Sequence, residues 1–140
     1  MERTAATTEV PNRTQGSDEQ APLAHNQELG ARGEALAAEY LEGLGYRILE
    51  RNWRIRGGEL DLIALESGTV VAVEVKTRSG DGYGSPFAAI TARKAARLRR
   101  LLLDWVRSHE VGAGRLRIDA VAITLRSGAS PRIEHLRGIA

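Results

Sequence analysis

Apolar residues along this chain follow two periods. Leu29, Leu36, Ala37, Tyr40, Leu41 and Leu44 recur at helical spacing and predict a helix over Glu28–Leu44, ended by Gly43 and Gly45. Leu98, Leu101, Leu102 and Trp105 repeat the i, i+3, i+4, i+7 pattern inside a second helix, Phe87–His109. Elsewhere the period shortens to two. Tyr46–Arg54, Glu59–Leu65 and Thr69–Thr77 read as strands, the third strongly β-branched, and Arg115–Leu125 reads as a fourth. Arg132–Leu136 reads as a short fifth strand. Gly57-Gly58 and Ser67-Gly68 mark tight turns, and Ser79–Pro86 a flexible loop that carries Tyr83. The order α-β-β-β-α-β-β predicts an α/β domain with helices packed on a mixed sheet.

Residues 1–26 show no such period. They are rich in Thr, Ala, Pro, Gln and Ser and read as a disordered tail, which leaves 27–140 as one domain. No run of about 18 apolar residues exists, so no membrane span is expected. There is no cysteine, which removes disulfides, thiolate metal sites and thiol nucleophiles and fits a cytoplasmic protein. The basic residues are almost all arginine; Lys76 and Lys94 are the only lysines. Net charge is negative in the tail and positive in the domain, a balance that suits a phosphate-rich partner. No P-loop, dinucleotide fingerprint or Gly-x-Ser-x-Gly elbow is present, and His25, His109 and His135 fall outside every motif.

The hairpin turn at Ser67-Gly68 carries a geometric consequence. It sets Glu66 opposite Thr69 and, counting back along regular strands, Asp61 opposite Glu74 and Glu59 opposite Lys76. Side chains alternate, so Glu59, Asp61, Ile63 and Leu65 share a face with Lys76, Glu74, Ala72 and Val70, while Leu60, Leu62, Val71, Val73 and Val75 share the other. Two carboxylates about 5 Å apart repel unless a cation lies between them or one is protonated. Hard oxygen ligands without His or Cys favour Mg²⁺ or Mn²⁺. A lysine beside them suits phosphodiester hydrolysis, where an ammonium stabilises charge on the phosphoryl oxygens. The plainer alternative is a solvated edge hairpin with a Glu59–Lys76 cross-strand pair.

Asp61, a twelve-residue gap and Glu74-Val75-Lys76 resemble the Asp…Glu-x-Lys signature of restriction-endonuclease-like nucleases. The longer segments GARGEALAAEYLEGLGYRILERNWR (30–54), GELDLIA (58–64) and VAVEVKTR (71–78) resemble the bacterial YraN-like family, a relative of archaeal Holliday-junction resolvases. The resemblance implies a restriction-endonuclease-like core, Asp61 and Glu74 as metal ligands, Lys76 as the catalytic lysine and DNA, including branched or structured DNA, as substrate. By the same analogy a homodimer would supply two active sites for two strands.

Nucleases of that superfamily often add an acidic residue from the first helix, and here the matching position is Glu34. On a helical projection Glu34 lies about 95° from the centre of the buried stripe, at its margin, whereas Glu28, Glu39 and Glu42 face outward. On the second helix Arg93, Arg97, Arg100 and Arg107 project outward, where they can follow a nucleic-acid backbone, while Lys94 falls within about 40° of the apolar stripe, where it either snorkels or, near the carboxylates, touches a substrate phosphate. Arg78 flanks the cluster as a further phosphate contact. Asp119 shares a face with Val121 and Ile123 and reads as a buried structural carboxylate. Two functions of other classes stay open: a non-catalytic nucleic-acid-binding module, and an interaction subunit that keeps the nuclease fold.

Overall fold

A computed structural model describes residues 20–80, 84–112 and 114–140. The elements are α1 (Gln20–Gly43), β1 (Arg47–Ile55), β2 (Gly58–Glu66), β3 (Thr69–Ser79), α2 (Ala92–His109), β4 (Arg115–Leu125) and β5 (Arg132–Leu136). One sheet runs β1-β2-β3-β4-β5. Its strands are antiparallel except β3 and β4, which α2 connects in parallel. The expected α/β order and mixed sheet are therefore the observed ones.

Two helix boundaries differ from the expectation. α1 already begins at Gln20, inside the stretch read as a tail, and residues 1–19 lie outside the described residues. α2 begins at Ala92, not Phe87, because the Thr91 hydroxyl accepts the Lys94 N–H at 3.1 Å and caps the helix there. Phe87–Ile90 instead form a turn, with the Ile90 N–H on the Phe87 carbonyl at 3.0 Å. Tyr83 lies outside the described residues. Among those described, no helix is long and apolar enough to cross a membrane.

The sheet separates two apolar layers. Ala37, Ala38 and Leu41 of α1 pack on Leu62, Ala64, Val71, Val73, Val75, Val121 and Ile123. Leu98, Leu101, Leu102 and Trp105 of α2 pack on Leu60, Ile63, Val70, Ala72 and Ile118. The Trp105 indole N–H, which needs an acceptor once buried, donates to Glu50 of β1 at 2.7 Å and ties that edge to α2.

Two features fix how closely these layers approach. A Cβ built on Gly33 would stand 1.8 Å from the Thr77 hydroxyl oxygen, so α1 can cross the end of β3 only with glycine there. Gly58 plays the same part for the β1–β2 turn: its φ is +159°, and a Cβ would meet Leu101 Cδ1 at 2.8 Å.

Asp119 is the structural carboxylate expected. It is fully buried and is bonded by Arg117 Nε (2.8 Å), Tyr46 OH (2.9 Å), the Gly138 N–H (3.0 Å) and His135 Nε2 (2.9 Å). Burial alone would raise its pKa, but these hydrogen bonds outweigh that and hold the carboxyl well below the ordinary carboxylate range. Arg117 also reaches Glu66 at 2.8 Å, so the network links β4, β5 and the β2–β3 hairpin on the α1 side of the sheet.

Gly33→Ala should cost about 2 kcal/mol by forcing α1 off Thr77, whereas Gly30→Ala, with open space around it, should stabilise by about 0.5–1 kcal/mol. Urea denaturation of the two variants checks the opposite signs. Asp119→Ala removes one acceptor from four donors and should cost about 3–5 kcal/mol by the same measurement; a loss under about 1 kcal/mol would refute the structural role.

Candidate active site

The β2–β3 hairpin follows the predicted register from Glu66↔Thr69 to Leu62↔Val73. It then departs from it. Asp61 does not continue as a partner directly opposite Glu74. Its carboxylate Oδ2 instead accepts the backbone N–H of Val75 at 2.9 Å, taking the place of a strand carbonyl. The side-chain alternation breaks at the same point, because Leu60 packs on the α2 layer while Leu62 packs on the α1 layer. The expectation that Leu60 shares a face with Leu62 is thereby corrected.

The neighbouring strand β1 is irregular as well. Its pairing with β2 shifts register between Ile48 and Glu50, and Asn52 adopts φ 52°, the left-handed conformation that asparagine tolerates better than most residues. Arg51 pairs with Leu62 and Trp53 with Leu60, which puts Asn52 beside Asp61 in the ladder. Beside this irregular stretch the Asp61 carboxylate is directed at β3, onto the Val75 N–H. The Glu59–Lys76 cross-strand pair of the plainer alternative does not form; Glu59 pairs with Arg54 of β1 at 2.8 Å.

The result is an open cleft of about 370 Å³ between the β1–β2 turn and the first half of α2. Arg54, Glu59, Asp61, Glu74, Lys94 and Arg97 supply its polar wall, and Leu98 and Leu101 its apolar floor. Glu74 is buried, with 8% exposure. Asp61 is partly buried. Burial raises its pKa, the negative charge of Glu74 raises it further, the Val75 N–H partly offsets both, and the carboxyl is pushed up to about 7. Glu34 and Glu59 add smaller contributions of the same sign.

Glu34, on α1, stands close enough to feel the same charges. Burial raises its pKa first, a hydrogen bond from Asn52 lowers it, and Glu59 and Glu74 raise it. The close crossing at Gly33–Thr77 is what brings this turn of α1 to the end of β3. Neither the Gly33 contact nor the role of Asn52 follows from the hydrophobic period. The one visible hint is a glycine at a buried helix position directly before Glu34.

The basic residues divide. Lys94 Nζ is 2.8 Å from Glu74 Oε2, inside the cleft. Arg97 donates to the Gly57 carbonyl at 2.5 Å and stands at the cleft wall, whereas Arg93, Arg100 and Arg107, exposed like it, do not line the cleft. Lys76 is partly buried on β3, two residues past Glu74 and on the same side, but it is not one of the cleft-lining residues. Arg78 is engaged internally, by Thr124 Oγ1 at 3.3 Å and the Gly84 carbonyl at 3.4 Å. It braces the loop after β3.

The donor set fits a small hard cation in composition. Mg²⁺ characteristically takes one or two carboxylates and completes its shell with water and substrate phosphate. Asp61 and Glu74 meet that requirement. Among the described residues no group of three His, Asp or Glu stands close enough to ligate one ion, so a dedicated protein cage of the calcium type is not what this cleft offers.

The model of the uncharacterised protein family UPF0102 matches residues 33–123, which span Glu34 and every cleft-lining residue. The UPF0102 protein of Rhodococcus jostii (strain RHA1) is 52% identical over 115 residues, covering 82% of this chain and 98% of its own length. That of Leifsonia xyli subsp. xyli (strain CTCB07) is 50% identical over 117 residues, covering 84% and 99%. That of Paenarthrobacter aurescens (strain TC1) is 50% identical over 111 residues, covering 79% and 92%. With half its residues identical to each of these over most of its length, the chain belongs to the UPF0102 family, the YraN-like family that its motifs resemble.

Proposed function

We propose that this protein is a Mg²⁺- or Mn²⁺-dependent endonuclease that hydrolyses DNA phosphodiester bonds, with branched or otherwise structured DNA as the substrate class to test first. The observation that carries the reading is the pair Asp61 and Glu74: two carboxylates kept together against burial and mutual repulsion, at the wall of an open cleft. Such an arrangement costs stability without a cation and is characteristic of sites selected for chemistry. When bound, the ion supplies polarisation of the phosphate and activation of water. In this reading Asp61 and Glu74 hold it, and Glu34 adds a third acidic group from α1. Lys76 stabilises charge on the phosphoryl oxygens. Lys94, Arg97 and Arg54 give the cleft the positive wall that a backbone phosphate meets.

One observation favours a second reading, a nucleic-acid-binding module without catalysis. The Lys94 ammonium already neutralises Glu74, so that carboxylate has a partner without any metal. That reading predicts salt-sensitive binding that is indifferent to metal and survives Glu74→Gln.

A cleavage screen over branched, flapped, single-stranded and duplex DNA with each metal separates the two. Asp61→Asn keeps an acceptor for the Val75 N–H, so it tests chemistry with little damage to the fold. Asp61→Asn, Glu74→Gln and Lys76→Ala should each lower cleavage at least ~100-fold while binding persists. Wild-type protein that cuts none of these substrates with either metal would sink the enzymatic reading.

A pH prediction follows from the raised Asp61 pKa. A carboxylate whose folded pKa lies above its unfolded value contributes fully below the unfolded pKa and loses that contribution as pH rises through the folded one. Metal-free protein should therefore lose stability between about pH 4 and pH 7, the interval between the ordinary value of 3.8 and the raised value of about 7. Millimolar Mg²⁺ should restore it above that interval. Asp61→Asn should raise the melting temperature of the chelated protein at about pH 8 by a few degrees, ~1 kcal/mol, and abolish the Mg²⁺ response. Calorimetric scans in chelator and in Mg²⁺ measure this; a flat wild-type profile across the interval would contradict the coupling of Asp61 to Glu74.

A further inference from the structure

Lys94 sits where its charge is locally unfavourable. It lies in the first turn of α2, whose N-terminus already carries the positive end of the helix dipole, and that turn holds no acidic residue. Its backbone is pinned, because its N–H is the one that the Thr91 cap accepts. Its side chain is 39% exposed yet bends inward to place Nζ 2.8 Å from Glu74 Oε2, on a carboxylate side chain only 9% exposed. No other basic residue is described within ion-pair distance of Glu74, so this ammonium is the counter-ion that a nearly buried charge requires. Asp61 shares the cleft with the pair and has only the Val75 N–H as its described hydrogen-bond donor.

We infer that Lys94 is the resident competitor of the metal at Glu74, a built-in counter-ion that sets the cation affinity of the site. This rests on the metal-dependent reading above. A divalent ion held by Asp61 and Glu74 would stand within a few ångströms of the ammonium, and two cations cannot share one carboxylate oxygen without strong repulsion. Lysine suits such displacement: it is a point charge on a flexible four-carbon stem, with no fixed two-point grip on the carboxylate. Released from Glu74, the ammonium remains at the cleft wall beside Arg97, one helical turn further along α2. The geometry thus makes metal entry and the exposure of a cation to the cleft one linked event, and linkage acts equally in both directions.

The test is titration of Mn²⁺ alone into the full chain by calorimetry, with no nucleic acid present. Lys94→Met removes the competitor and should tighten Mn²⁺ binding at least ~5-fold, the low end of typical coupling between sites. Lys94→Arg preserves the charge and offers two parallel hydrogen bonds to Glu74, a stronger grip, and should weaken Mn²⁺ binding by a similar factor. The arginine variant retains the counter-ion, so it tests the inference even if Lys94→Met, with Glu74 left unpaired, does not fold. Weaker or unchanged binding in folded Lys94→Met, or unchanged or tighter binding in Lys94→Arg, overturns the role assigned to Lys94 while leaving the metal site intact. Wild-type protein that takes up no Mn²⁺ overturns the metal-dependent reading and this inference together.

Discussion

A backbone N–H inside a sheet must find an acceptor, and at Val75 that acceptor is the Asp61 carboxylate rather than a strand carbonyl. The rest of the cleft depends on this substitution. By taking the N–H, Asp61 ends the regular β2–β3 ladder after Leu62↔Val73. Beyond that point no β2–β3 pair continues the ladder, and Asp61 and Glu74 both line the cleft between the β1–β2 turn and α2. The same bond holds a carboxylate beside Glu74 that electrostatics alone would drive away. One hydrogen bond at 2.9 Å therefore does two jobs: it satisfies the backbone where the ladder stops, and it keeps the carboxylate at the place where the ladder stops.

Both helices are fitted to that end of the sheet by local steric terms. α1 reaches β3 because Gly33 has no Cβ to strike Thr77, and this sets Glu34 within electrostatic range of Asp61 and Glu74. α2 begins at Ala92 because Thr91 caps it, and this sets Lys94 in its first turn, facing Glu74. Had the helix begun at Phe87, its orphan N–H groups would lie about a turn and a half further from the cleft. The cleft is thus assembled from a glycine, a threonine cap and a left-handed asparagine, none of which carries charge.

That explains which parts were legible in the amino-acid order. The strands, the turn at Ser67-Gly68 and the hairpin register up to Leu62 follow from period and turn chemistry, because both report backbone geometry that repeats. The register then stops short of Asp61, where the carboxylate takes the Val75 N–H and the neighbouring strand is irregular at Asn52, tertiary features that no period encodes. Face alternation fails for Leu60 in the same stretch. The placement of Lys94 near the apolar stripe was legible from helical angle, but its partner was not, since pairing depends on where α2 crosses the sheet. His135 had no motif to mark it; only the fold sets it against Asp119.

The two partly or fully buried aspartates of this sheet give the sharpest contrast. Asp119 has no exposure at all, yet it stays ionised easily, because Arg117, Tyr46, Gly138 and His135 all bond to it. Asp61 keeps some exposure, yet its pKa moves the other way, because its burial and the charges of Glu74, Glu34 and Glu59 are set against a single N–H. Burial alone therefore does not set the direction in which a carboxylate's pKa moves. What separates them is the balance of donors and charges around the oxygen atoms. Where donors are in excess, the group is a structural joint and nothing further can be gained by binding a cation. Where burial and negative charge outweigh the donors, as at Asp61, the ionised carboxylate carries a cost within the fold, and under the proposed function that is the cost a bound cation would relieve.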